Sequence, residues 1–380
     1  MSRALFLILV LAGCLGGPTQ AQPLAAPASV PPISAKAWLL YDYQAGREIA
    51  GANHDERVEP ASLTKLMTAE LTFSAVRHGQ LTLEQAVLIS ARAKATPGSR
   101  MYLTPEQPVS VDELLHGLII ESANDAAVAL AETLAGSVGD FVQQMNEEAA
   151  RLTLTGTHFN NVTGLSDPQH YSTAADLMRL ALYVMREYPE FFPLFGQRYY
   201  TYAGITQRNR NELLFRDPHV DGLKTGHTES AGFCLIATAK RDERRLVAIV
   251  MGTSTESGRA IEAQKLLNYG FEHFDTVKLY AKGAPVAVLP VWKGSEDRVQ
   301  AGFAADFYVS APKGQAARFT AKLESLQPLL APIAVQQPVG VLKLSYADKP
   351  YGEFPVVALE QVSIANLVVR AWHSLRLLFK

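Results

Sequence analysis

The amino-acid sequence predicts an α+β chain in three parts, and three observations lead there. Up to about residue 275, helical periodicities are interleaved with strand-turn-strand segments; from about Thr276, short alternating strands are parted by Gly and Pro; the last stretch repeats apolar residues at helical spacing. With 380 residues, 48% of them hydrophobic and 19% charged, the chain is long enough for two domains and too apolar to be largely disordered. A formal net charge of -2 and the lack of a basic run interleaved with aromatics give no reason to expect a nucleic-acid partner.

Residues 1 to 21 read as an export signal: Arg3, an apolar stretch from Ala4 to Leu15, then a small-residue site ending at Ala21. The apolar run is shorter than the roughly 20 residues a membrane span needs. Leu11-Ala-Gly-Cys14 is similar to a bacterial lipoprotein cleavage box, so lipidation at Cys14 and cleavage after Ala21 both remain open. A Pro- and Ala-rich linker, 22–32, follows. Cys234 lies in an apolar run and reads as a small buried hydrophobe with no disulfide partner; no spacing of the nine histidines suggests a metal site, and no cofactor is expected.

From Ala37 the chain reads strand, turn, strand to Ala50, then a helix from near Ser62 to about Val76. Leu83 to Ser90 reads as a strand, and Pro97-Gly-Ser99 as a loop bordering a cleft. Val111 to Ile120 has the periodicity of a buried helix and runs into Ser122-Ala-Asn124, with an Ala-rich helix beyond from Asp125 to Leu134. Further helices are expected over Asp140–Leu152 and Ala174–Val184, separated by a polar loop, and a mixed stretch precedes Asn209-Arg-Asn211. Val220 to Thr228 is a strand, Phe233 to Ala239 and Leu246 to Met251 are its hairpin partners, and a helix from Ala260 to Tyr269 closes the first domain.

The chemistry concentrates in Glu59-Pro-Ala-Ser62-Leu-Thr-Lys65. At the start of a helix, residues i and i+3 share a face, so a hydroxyl lies beside an amine. Such an amine can take the serine's proton only when burial or a neighbouring cation disfavours its charged form. About one Ser-x-x-Lys is expected by chance in a chain this long. Ser310-Ala-Pro-Lys313 is such a match, and Pro312 and Gly314 deny it a helix. Two further segments raise the first match above chance: Ser122-Ala-Asn124, which could otherwise merely cap a helix, and Lys224-Thr-Gly226. On an edge strand, Lys224 would offer charge and backbone, and Gly226 would remove a side chain where a ligand must come close. Arg210 reads either as solvated surface or as a fork for a ligand carboxylate.

Together these three motifs, with Asn209-Arg-Asn211, Asp221-Gly-Leu-Lys-Thr-Gly-His-Thr228, the β-rich second part and the tail, resemble the low-molecular-mass penicillin-binding proteins that are D-alanyl-D-alanine carboxypeptidases. The resemblance implies a β-lactamase/transpeptidase-like domain, an antiparallel sheet flanked by helices, over 33–275, a small all-β domain over 276–361 and an amphipathic membrane-anchoring helix over 362–380. It implies removal of the terminal D-alanine from peptidoglycan stem pentapeptides, with β-lactams as covalent inhibitors. Ser62 would be the nucleophile and Lys65 its proton acceptor. Ser122 would protonate the leaving amine, Asn124 would orient Lys65 and the substrate, and Lys224 would hold Lys65 and Ser122 in their working protonation states. Thr225 and Arg210 would bind the terminal carboxylate, and the amides of Ser62 and His227 would hold the oxyanion. A class A β-lactamase lacks support, because its Glu-x-x-x-Asn is missing between Ser122 and Lys224. A non-catalytic peptidoglycan-binding protein would not need the intact motif residues. In the tail, Ile364, Leu367, Val368, Ala371, Trp372, Leu375, Leu378 and Phe379 fall on one helical face, with Arg370, His373, Arg376 and Lys380 opposite. That pattern fits an anchor at the periplasmic face of the inner membrane, and leaves open both a helix docked on its own domain and a homodimer.

Overall fold

The computed structural model describes residues 29–105 and 107–378. The expected signal at 1–21 and Cys14, and the last two residues of the tail, lie outside them. The described residues fall into two compact units, one running to Val277 and including Tyr308–Gln315, the other made of Lys278–Phe307 and Ala316 onward. Tyr308–Gln315 groups with the first unit, where Lys313 N–H donates to the His273 carbonyl at 2.9 Å and Gly314 N–H to the Asp275 carboxylate at 2.8 Å.

The first unit is built on five strands, β1 (Ala37–Asp42), β2 (Arg47–Ala52), β3 (Val220–Thr228), β4 (Gly232–Arg241) and β5 (Arg244–Thr253), in the order β2-β1-β5-β4-β3, all antiparallel. This is the expected antiparallel sheet flanked by helices. Leu246 to Met251 in β5 is buried without a break because both faces are covered. On one face Val247, Ile249 and Met251 join the main core; on the other, Gly270 of the Glu256–His273 helix comes so close that a Cβ there would meet Leu246 Cδ1 at 2.5 Å. The β3 strand is left at the sheet's edge.

Among the other helices lies the Lys65–Arg77 helix, buried on nearly all sides; helices buried all round belong in interiors. Phe73 stacks on Phe191 with ring centroids 4.4 Å apart. The same helix buries Glu70, whose Oε1 accepts from the Tyr188 hydroxyl at 3.0 Å while Oε2 has no partner. Burial, aided by the Glu148 carboxylate, pushes its carboxyl up to about 7. Between pH 4.5 and 7 the folded chain therefore holds a proton that the unfolded chain has lost, so stability falls as pH rises through that window. Glu70→Gln should flatten this slope and raise stability at pH 8 by about 1 kcal/mol, read by urea unfolding at pH 5 and 8. An unchanged slope would refute the assignment.

Two local expectations need correction. Of Leu83–Ser90 only Ala86–Val87 is strand, paired with Val109–Ser110. The pairing cannot extend because Ser110 turns its chain into the Val111–His116 helix, capping it in a box with Glu113. That helix is also shorter than its periodicity suggests: after His116 the chain widens into a π turn, Gly117–Glu121. The mixed stretch before Asn209 proves to be a hairpin, Tyr199–Tyr202 with Ile205–Arg208.

In the second unit a six-stranded sheet closes over Val299, Ala301, Val339, Leu342 and Val356. The tail helix runs from Leu367 to Leu377, with Asn366 accepting from Val369 N–H at its start. Its polar face meets the sheet domain: Lys293 N–H donates to His373 Nδ1 at 2.7 Å, and Arg376 lies over the Trp292 ring. Leu367, Val368, Trp372, Leu375 and Leu378 are 50 to 80% exposed.

Candidate active site

Ser62 sits in a 3-10 turn, Ala61–Thr64, that feeds directly into the Lys65 helix. One turn on, the Lys65 ammonium position is fully buried, 3.0 Å from Ser62 Oγ and 2.7 Å from the Thr163 carbonyl oxygen, to which it donates. Burial first, then the Arg210 charge, hold the amine down at about 7. A serine hydroxyl thus faces an amine that is substantially neutral at physiological pH.

The Ser122 segment follows the π turn. Ser122 adopts φ 63°, a left-handed conformation that swings its side chain away from the helix just ended. Across the cleft, Lys224 on β3 donates to Ser122 Oγ at 2.8 Å and to the Thr225 carbonyl at 3.0 Å. Lys224 is buried too, and burial together with the Lys65 and Arg210 charges keeps its amine well below the usual lysine range. Asn124 opens the next helix but does not cap it, since the capping position belongs to Ala123. Its Nδ2 donates to the Pro97 carbonyl at 2.6 Å, and its buried Oδ1 is left without a partner.

Ser62, Ser122, Asn124, Arg210, Thr225, Gly226 and His227 line one cavity of about 220 Å³, with Lys65 and Lys224 behind its wall. Gly226 lets β3 press on the Ser62 turn: a Cβ there would lie 3.1 Å from the Pro60 oxygen and 3.2 Å from Ser62 N. All nine sequence-predicted residues therefore converge. The decoy does not: Ser310 is buried in the strand Phe307–Pro312.

Six contributors were not predicted. Thr163 supplies the carbonyl that holds Lys65, and Gly164 packs against Ala61. Both ride on a turn that Asn161 organises by accepting from Thr163 N–H and Gly164 N–H; Asn-x-x-Gly was the available signal. Glu121 accepts from Arg210 at 2.6 Å, and Arg259 donates to the Arg210 carbonyl at 3.3 Å, fixing both ends of that residue. Behind Thr64, His170 Nδ1 accepts from Asn160 N–H, which leaves its proton on Nε2, 2.7 Å from Thr64 Oγ1. Among the described residues no cluster of His, Cys, Asp and Glu could hold a metal ion.

The sequence pattern of D-alanyl-D-alanine carboxypeptidases matches residues 24–255, and that of the penicillin-binding protein 5 C-terminal domain matches 274–363. The chain belongs to the D-alanyl-D-alanine carboxypeptidase family. It is 38% identical to D-alanyl-D-alanine carboxypeptidase DacD of Salmonella typhimurium over 97% of either chain, and 36% identical to DacA of Escherichia coli, covering 92% of this chain and 89% of that one. The crystal structure of penicillin binding protein 5 from Haemophilus influenzae superposes with a TM-score of 0.84 at 34% identity, covering 88% of this chain and 99% of the other. Penicillin-binding protein D2 from Listeria monocytogenes, solved in an ampicillin-bound form, matches at 32% identity and TM-score 0.59, covering 63% of this chain and 98% of that one. This carboxypeptidase is thus a serine hydrolase of the low-molecular-mass penicillin-binding group, and neither a β-lactamase nor a non-catalytic binding protein is favoured.

Proposed function

We propose that this carboxypeptidase removes the terminal D-alanine of peptidoglycan stem pentapeptides through an acyl-enzyme on Ser62, with Lys65 as base. The observation that carries the assignment is the 3.0 Å approach of Ser62 Oγ to a buried amine held near neutrality. Neutral Lys65 takes the serine proton as Oγ attacks the penultimate D-alanine carbonyl. The oxyanion is received by the N–H groups of Ser62 and His227, on the two segments that Gly226 allows to meet. As the tetrahedral intermediate collapses, the C–N bond breaks and the leaving amine takes a proton through Ser122, which Lys224 holds; the proton that Lys65 took from Ser62 replaces it, so Lys65 is neutral again. Water then attacks the ester, Lys65 accepts its proton, and Ser62 regains its own. Thr225 and Arg210 receive the substrate's carboxylate, a guanidinium fork being matched to that group. The free Oδ1 of Asn124 accepts a substrate N–H. A β-lactam acylates the same serine and is held as the ester.

Ser62→Ala, incubated with a pentapeptide ending in D-alanyl-D-alanine and separately with labelled penicillin, should release no D-alanine and form no adduct. Persistent D-alanine release would refute the mechanism.

The tail adds attachment to a membrane surface. Support comes from the row Leu367, Val368, Trp372, Leu375 and Leu378, exposed while the basic side chains flank it. Among the described residues no helix is long and apolar enough to cross a membrane, so contact in the plane of the interface is the mode. After export, that places the catalytic domain, 33–275, and the β-rich domain, 276–361, at the periplasmic face. Because 362–366 pair with the β-rich domain and the helix begins at Leu367, removing 367–380 should abolish co-sedimentation with anionic vesicles without changing D-alanine release; retained binding would refute the anchor.

A further inference from the structure

Asp125 stands in the first turn of the Asn124–Ala135 helix and is 1% exposed. A carboxylate so deeply buried is costly unless its oxygens are hydrogen-bonded. Its partners are backbone N–H groups: Oδ1 accepts from Met101 at 3.1 Å and from Ala126 at 3.0 Å, and Oδ2 accepts from Leu103 at 3.1 Å. Met101 and Leu103 flank Tyr102, whose backbone is held at φ 67°, a left-handed conformation that bulky residues rarely adopt. The same loop is tied to Asn124, whose N–H donates to the Ser99 carbonyl at 2.7 Å. Gly98 and Ser99 line the reaction cavity, and Asp125 is absent from that lining. One carboxylate behind the wall thus holds a strained loop against the segment that carries Ser122.

The charge of Asp125 also reaches Lys65. There burial and Arg210 disfavour the ammonium form, whereas Asp125 favours it. Lys224 faces Lys65 as well, each disfavouring a proton on the other. His170 faces Lys65 from behind and Tyr202 faces Asp125. Burial holds His170 down at about 4 and raises Tyr202 above its ordinary value, so neither changes charge between about pH 5.5 and 9.

We infer that Asp125 is a positioning residue of the reaction: its carboxylate fixes the 97–103 loop against the Ser122 segment, and its charge offsets that of Arg210 at Lys65. This rests on Lys65 acting as the base. An amine pressed only downward would be neutral at physiological pH but a weak acceptor for the serine proton, and a base serves best when its acidity lies near the working pH. Asp125 supplies the upward push from outside the cavity.

Asp125→Asn and Asp125→Glu in the full chain test this, through the pH dependence of acylation by labelled penicillin and amide hydrogen exchange over 97–103. In the native protein acylation rises with pH through about 7. Asp125→Asn keeps the shape and removes the charge, so the midpoint of that rise should move about half a pH unit lower. Its amide nitrogen would also face a loop N–H, so exchange over 97–103 should quicken about tenfold. Asp125→Glu keeps the charge, and its midpoint should stay at the native value. Loss of folded protein lowers every rate in proportion and leaves the midpoint in place, so misfolding cannot imitate the shift. An unmoved midpoint or unchanged exchange in Asp125→Asn, or an equal shift in Asp125→Glu, overturns the role of Asp125 and leaves Lys65 as the base. A native rate with no rise near pH 7 removes Lys65 as the base, and the role of Asp125 with it.

Discussion

Replacing Lys65 with methionine should lower the rate of acylation by penicillin on the order of 10³-fold or more, while nearly preserving the space the side chain fills. Methionine keeps the buried stem and removes the amine 3.0 Å from Ser62. The native rate should rise with pH through about 7, as the buried amine loses its proton. A folding signature accompanies this. Lys65 is held below its ordinary 10.5, so between about pH 7 and 10.5 the unfolded chain carries a proton that the folded chain has lost. Stability therefore rises with pH across that window, and the penalty of the buried amine is felt in full below it. Lys224 is shifted the same way, so Lys65→Met should reduce the slope without abolishing it. Stopped-flow acylation and chemical unfolding at pH 6.5, 8 and 9.5 read both effects. Acylation within tenfold of native would remove Lys65 from the mechanism.

Gly164→Ala should destabilise the protein by about 3 kcal/mol or more and slow acylation on the order of 10²-fold. Gly164 has φ +85°, and a Cβ there would fall 1.8 Å from the Ala61 carbonyl oxygen and 2.8 Å from Ser62 N. Those are backbone atoms, with no flexible end that could swing aside. Either the 161–164 turn retreats, taking the Thr163 carbonyl from Lys65, or the Ser62 turn moves and its N–H leaves the oxyanion position. Gly79→Ala is the control: φ is +72°, nothing lies within 4 Å of its Cβ, and only the left-handed strain of about 1 kcal/mol is expected. If both substitutions prove equally mild, the Gly164 contact does not position the nucleophile.

Ser62 and Lys65 could be paired from sequence because three residues at a helix start return to one face, a purely local relation. The edge position of β3 was legible too, since a hairpin series that ends at Val220 to Thr228 leaves that strand with a single neighbour. Glu121 could not be singled out, because a glutamate after an apolar run has no mark of its own until Arg210, 89 residues later, is brought beside it. The contact of the Asn124 amide with the Pro97 carbonyl was equally beyond reach, since it depends on where the 97–99 loop lies.

By itself the sequence determined which chemistry was available and on which kinds of element it stood: a serine and lysine one turn apart, a lysine and glycine on a strand, a tail with one apolar face. Such features follow from periodicity and backbone geometry within a few residues. Only the tertiary structure decided that Thr163, Ser122 and Lys224 close around that serine, and that both amines are stripped of water. An amine's protonation depends on its solvation and on charges contributed from distant parts of the chain, and neither is encoded in the residues beside it.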